Sequence, residues 1–161
     1  MSMFCYQCQE ARGNTGCAEK GKCGKTESTS NLQDLLIYTA TGVAIYAQEQ
    51  ASKGHVDMEV GRYINQALFV TITNANFDDG KITDLINRGL MIRETLQASS
   101  ELNIGLHDCV TWTVNSESDY LAKAESIGIL ETENEDIRSL RALLTYGIKG
   151  MVAYAEPCSR F

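Results

Sequence analysis

The stretch Met3-Phe4-Cys5-Tyr6-Gln7-Cys8, completed by Cys17 and by Gly21-Lys22-Cys23-Gly24-Lys25, places four cysteines within nineteen residues. The pattern is C-x2-C-x8-C-x5-C. Thiolates this close in sequence can converge on one soft metal centre without a ligand from a distant part of the fold. Residues 1–25 set Arg12, Lys20, Lys22 and Lys25 against Glu10 and Glu19, a formal +2 in a chain of formal charge −7. A cationic loop in an acidic protein suits a buried anion such as a thiolate-ligated cluster.

Three chemistries accept these residues. A [4Fe–4S] cube takes four thiolates. A structural zinc ion also takes four, but its sites usually pair two C-x2-C knuckles, and here the second pair is stretched to C-x5-C. Disulfides are opposed by the clustering on one loop and by an amino terminus without a basic region and apolar core. Spacing alone leaves iron–sulfur and zinc open.

Away from this loop the composition is that of an ordinary globular domain. Of 161 residues, 43% are hydrophobic and 22% charged, enough for a true core. The acidic balance argues against a nucleic-acid partner, since phosphate neutralisation needs a basic face. No apolar run approaches the roughly 20 residues that span a bilayer, so no membrane association is expected. Six cysteines, four at metal-ligand spacing, suggest a reducing cytoplasm.

Hydrophobic periodicity predicts helices throughout, an all-α chain with the cysteine loop over residues 1–27 and a helical bundle over 28–161. Ser30-Asn31-Leu32-Gln33 reads as a capping box opening a helix to about residue 52, with Leu32, Leu35, Leu36, Thr39, Val43, Tyr46 and Ala47 inward. A second helix starts near Asp57 and buries Val60, Tyr63, Ile64, Ala67, Leu68 and Thr71. A third, over about 78–100, is capped by Asn76 and buries Ile82, Leu85, Ile86, Leu90 and Leu96. Residues 102–115 read as a packed connection. A short helix runs from Ser116 to Gly128. Thr132-Glu133-Asn134-Glu135 is a second capping box before a long helix to about residue 155, expected to bury Ile137, Leu140, Leu144, Ile148, Met151 and Ala155. Gly147 and Gly150 suggest close packing along that helix, and Pro157 is its expected stop.

With these residues laid out, the chain resembles the amino-terminal domain of the hybrid-cluster proteins, also called prismane proteins or hydroxylamine reductases. The resemblance is carried by Met3-Phe4-Cys5-Tyr6-Gln7-Cys8-Gln9-Glu10, Gly16-Cys17, Gly21-Lys22-Cys23-Gly24-Lys25 and Asn31-Leu32-Gln33-Asp34-Leu35-Leu36. Thr71-Ile72-Thr73-Asn74-Ala75-Asn76, Thr132-Glu133-Asn134-Glu135-Asp136, Arg138-Ser139-Leu140 and Ala153-Tyr154-Ala155-Glu156 extend it over nearly the whole chain. It implies that Cys5, Cys8, Cys17 and Cys23 bind a [4Fe–4S] cluster, as in the family's short-spacing branch of anaerobes. It also implies two small three-helix bundles, and a place in an oxidoreductase that reduces hydroxylamine to ammonia and water, or acts on nitric oxide.

The resemblance further implies an electron-donor protein and carboxy-terminal catalytic domains as partners. The mixed iron–sulfur–oxygen cluster of those domains is not expected in this chain, which looks like one piece of a longer protein. No catalytic residue is assigned to it. The contrasting expectation is a non-enzymatic helical interaction module stapled by zinc or iron. Helices that normally meet later domains would leave an apolar patch, which invites homo-oligomer formation.

The remaining candidates have plainer readings. Cys109 beside Val110 and Trp112 is a buried small hydrophobe, Cys158 an exposed thiol, and His55 a turn residue. His107, Asp108 and Cys109 are too close in sequence to converge on zinc well. The acidic run Glu131–Asp136 suits a helix start, with a redox-partner docking surface as the alternative. Lys20, Lys22 and Lys25 either steer an acidic donor or compensate the centre's charge.

Overall fold

The computed structural model describes residues 3–8, 15–102, 105 and 107–158. Five helices follow the cysteine loop: α1 (Glu27–Ser52), α2 (Met58–Val70), α3 (Asp79–Ala98), α4 (Ser118–Ile127) and α5 (Glu135–Cys158). Short 3-10 turns occupy Asp108–Val110 and Ile129–Glu131. The all-helical expectation holds: among the described residues the extended backbone is limited to one isolated antiparallel bridge, Cys5 with Cys17.

Helix α1 is the axis of the core. Leu35, Leu36 and Val43 are wholly buried on it, each contributing roughly 1.5–3 kcal/mol. They meet Val60, Tyr63 and Ala67 of α2, Ile82 and Ile86 of α3, and Cys109 and Val110 of the connection. Polar ties fix the register at the loop end. The Thr29 hydroxyl donates to Asp79 at 2.6 Å, and Gln33 Nε2 donates to the Asn76 carbonyl at 3.0 Å.

Three helix starts differ from the sequence expectation, each because a nearer side chain reaches the free amides. Thr26 caps α1, accepting from the Thr29 N–H at 3.2 Å, so Ser30 and Gln33 lie inside the helix. Asp78 caps α3, accepting from Lys81 N–H, while Asn76 accepts from the Asp78 N–H and shapes the turn before it. Asn134 caps α5, accepting from the Asp136 and Ile137 amides at 3.0 Å, and the Thr132 hydroxyl accepts from Arg141 instead.

The largest correction concerns α5. Its expected inner face points outward: Ile137, Leu140, Leu144, Ile148 and Met151 are 40–73% exposed, and Ala155 is exposed too. The buried side is Lys149, Val152 and Glu156. This face lies on α2 and reaches the cysteine loop, so polar anchors decided the helix's rotation over the stronger apolar stripe. Gly147 and Gly150 face open space, with nothing within 4 Å of an added Cβ, so they do not mark a close packing. The helix also runs one residue past Pro157. Among the described residues, helices α1–α4 gather around α1 and α5 is laid on α2, so a second three-helix group is not closed here.

This orientation gives a direct expectation. Leu140→Lys combined with Leu144→Lys leaves the melting temperature within a few degrees of the parent while raising solubility, as surface changes do. A loss of ten degrees or more would place both leucines in the core instead.

Candidate metal centre

The loop is organised by its backbone before its sulfurs. The Cys5 N–H donates to the Cys17 carbonyl at 3.0 Å and the Cys17 N–H returns the bond at 2.7 Å, so these two cysteines stand opposite each other. Gly16 makes this approach geometrically available: its φ is +93°, and a Cβ there would lie 2.7 Å from the Phe4 ring. At the other end, the Gly21 N–H donates to the Lys25 carbonyl and the Gly24 N–H to the Gly21 carbonyl, both at 2.9 Å. That tight turn presents Cys23, and a Cβ on Gly21 would sit 3.0 Å from its Sγ.

None of the four loop cysteines is in a disulfide; Cys17 is buried and Cys5, Cys8 and Cys23 are half-buried. Among the described residues no three His, Cys, Asp or Glu side chains converge as a set able to hold a metal ion. Residues 9–14, including Glu10 and Arg12, lie outside the described residues. The chemistry of the donor set nonetheless suits a soft, electron-rich centre: four thiols on one short loop, with no disulfide among them and with ammonium groups gathered beneath.

The lysines divide in a way the sequence left open. Lys20 and Lys22 are exposed, whereas Lys25 is only 3% exposed and its Nζ donates to Cys5 Sγ at 3.7 Å. Lys149 of α5, 5% exposed, approaches from the far side. Its ammonium donates to the Thr71 carbonyl at 3.2 Å and to Gln7 Oε1 at 3.5 Å. Both ammoniums act on Asp34, whose carboxyl is pushed up to about 6 by burial despite their opposing pull. Burial likewise lowers Lys149 to about 8, with Asp34 acting against it.

Aromatic rings shield this floor. Phe4 and Tyr6 pack with ring centroids 5.3 Å apart and planes tilted by 57°, and Tyr6 meets Tyr146 of α5 edge-on at 6.1 Å. Met3 is buried with Cys17. Lys149, Asp34, Tyr146 and Gln7 were not singled out from sequence. A signal existed in the spacing of Lys149, Val152 and Glu156 along one helical face, but the apolar stripe beside it is longer.

The other candidates are structural. Cys109 is wholly buried across the core and burial pushes its thiol up. His107 opens the 3-10 turn, its Nδ1 accepting from the Cys109 N–H at 3.2 Å. Arg93, also missed from sequence, is buried and donates to the Cys109 and Trp112 carbonyls at 2.7 and 2.5 Å. His55 and Cys158 are exposed, and Glu135 and Asp136 lie in the first turn of α5. Among the described residues no helix is long and apolar enough to cross a membrane.

Residues 3–159 match the family model described as the Prismane/CO dehydrogenase family. A hydroxylamine reductase of Desulfitobacterium hafniense (strain DSM 10664 / DCB-2) is 50% identical over 161 residues, covering 97% of this chain and 29% of the relative. Hydroxylamine reductases of Acetivibrio thermocellus and Halothermothrix orenii are 48% and 46% identical, again over 97% of this chain and 29% and 30% of theirs. The chain thus spans under a third of the length of these curated relatives. With a match over nearly its whole length, the chain belongs to the prismane/CO dehydrogenase family.

Proposed function

We propose that this chain is the amino-terminal electron-relay part of a hydroxylamine reductase-type oxidoreductase. In this reading Cys5, Cys8, Cys17 and Cys23 are the ligands of a [4Fe–4S] cluster. The observation that carries it is buried Lys25 donating to Cys5 Sγ on a loop that bears four cysteines outside any disulfide, in a chain whose relatives carry that name. When bound, such a cluster supplies reversible one-electron transfer.

The chain's own residues do the rest. The paired backbone of Cys5 and Cys17 sets the loop, and Lys25 offsets thiolate charge. Met3, Phe4 and Tyr6 limit water access from one side. No side chain here is assigned acid, base or nucleophile duty. Hydroxylamine reduction to ammonia and water, or action on nitric oxide, belongs to the further polypeptide of the full-length relatives. Exposed Lys20 and Lys22 offer an acidic electron-donor protein a cationic landing point beside the loop. The cytoplasm, with its reducing poise, is the compartment that suits free thiols in such a site.

The reading is tested by cycling the anaerobically purified chain between dithionite and a mild oxidant while recording its visible and EPR spectra. The expected result is bleaching on reduction, a paramagnetic reduced state, and full recovery. A colourless protein whose spectra do not respond, and whose fold is lost to a chelator, would instead be a metal-stapled interaction module.

A further inference from the structure

Lys149 is a buried cation on the inner face of α5. Among the described residues no carboxylate forms an ion pair with it; its acceptors are the Thr71 carbonyl and the Gln7 side-chain oxygen. Lys25 is a second buried ammonium on the same floor. Asp34, whose carboxyl burial pushes up to about 6, acts on Lys149 through its charge rather than through an ion-pair contact. Burying an uncompensated charge is costly, and proteins retain such groups where a counter-charge arrives. Thr71 ends α2, where the carbonyl end of the helix favours a cation but does not neutralise it. Gln7 sits between Cys5 and Cys8, 142 positions from Lys149 along the chain.

We infer that Lys149 is a positioning and charge-compensating residue of the metal centre, contributed by α5 to a loop that otherwise supplies its own groups. Its ammonium holds Gln7, and hence the Cys5–Cys8 segment, against the end of α2. It also supplies part of the positive charge that a tetrathiolate centre needs when it gains an electron. The inference rests on the cluster reading given above.

The test compares the parent chain with Lys149→Met, which keeps the volume and removes the charge, and Lys149→Gln, which keeps a donor without the charge. Each is reconstituted anaerobically with iron and sulfide, assayed for both, and titrated at pH 7 for its midpoint potential. Each is also unfolded in urea without metal. Both variants are expected to titrate at lower potential than the parent, because the reduced, more negative form loses a compensating cation. A variant that folds without metal but no longer takes up iron and sulfide supports the inference equally. The metal-free urea midpoint of Lys149→Met is expected to equal or exceed the parent's, since the desolvation cost of a buried ammonium with no ion-pair contact among the described residues has gone. Unchanged potentials in both variants overturn the inference. So does a metal-free Lys149→Met that fails to fold, which would make the lysine a general structural anchor. If the parent itself takes up no sulfide, the cluster reading falls; if only the variants behave like the parent, this inference alone falls.

Discussion

Cys17→Ser is expected to take up less than a tenth of the parent's iron and sulfide while retaining its helical circular dichroism. Cys17 is the most buried of the four thiols, 7% exposed, and its backbone is tied to Cys5 by both bridge hydrogen bonds. A serine fits that space but brings a hydroxyl that stays protonated under conditions where a thiol ionises and ligates. Cys109 is wholly buried in the main core, in a cluster separate from that of Cys17. Cys109→Ser is therefore the control, losing some stability but none of its metal content. The measurement is iron and sulfide per chain with the visible spectrum. Full iron content and an unaltered spectrum in Cys17→Ser would remove Cys17 from the ligand set.

Gly42→Ala is expected to be strongly destabilising for a single added methyl. A Cβ at Gly42 would lie 2.2 Å from the Cys109 carbonyl oxygen and 2.9 Å from its carbon, both backbone atoms that cannot rotate away. That carbonyl is also the acceptor of Arg93 Nη1 at 2.7 Å. Overpacking alone costs about 1–3 kcal/mol, and loosening the contacts of a buried guanidinium adds to it. A loss of about 3 kcal/mol or more is expected, read as a lower urea midpoint with an unchanged slope. Gly61→Ala and Gly147→Ala are the contrast. Both glycines are exposed within helices with nothing within 4 Å of an added Cβ, so each alanine stabilises by up to about 1 kcal/mol through helix propensity. Equal effects in all three would mean that α1 does not pack on the 107–112 segment as described.

These two sites mark where the sequence was readable and where it was not. The inner faces of α1, α2 and α3 follow helical spacing because residues such as Leu35, Leu36, Val43, Ile82 and Ile86 have no competing use. Cap identity was less legible: Thr26 and Asn134 win over Ser30 and Thr132 because the free amides lie nearer to them, and several Ser, Thr, Asn and Asp residues crowd each helix start. For α5 the spacing rule picked the wrong face. Its apolar stripe is the stronger pattern, yet Lys149, Tyr146 and Glu156 turn it toward the loop and α2, a decision made by long-range polar contacts that no local window contains. The same distance hid Lys149 from the site, since its partners Gln7 and Thr71 lie far away in sequence. Lys25 was visible, but whether it faced solvent or sulfur depended on how the Gly21–Lys25 turn closes.

In the proposed reading Cys5, Cys8, Cys17 and Cys23 hold a [4Fe–4S] cluster. The measurement that meets it most directly is iron, zinc and acid-labile sulfide per chain, after anaerobic purification and again after anaerobic reconstitution. About four iron and four sulfide per chain, with zinc at trace level, is the predicted result. One zinc per chain without sulfide, persisting through reconstitution, would contradict it.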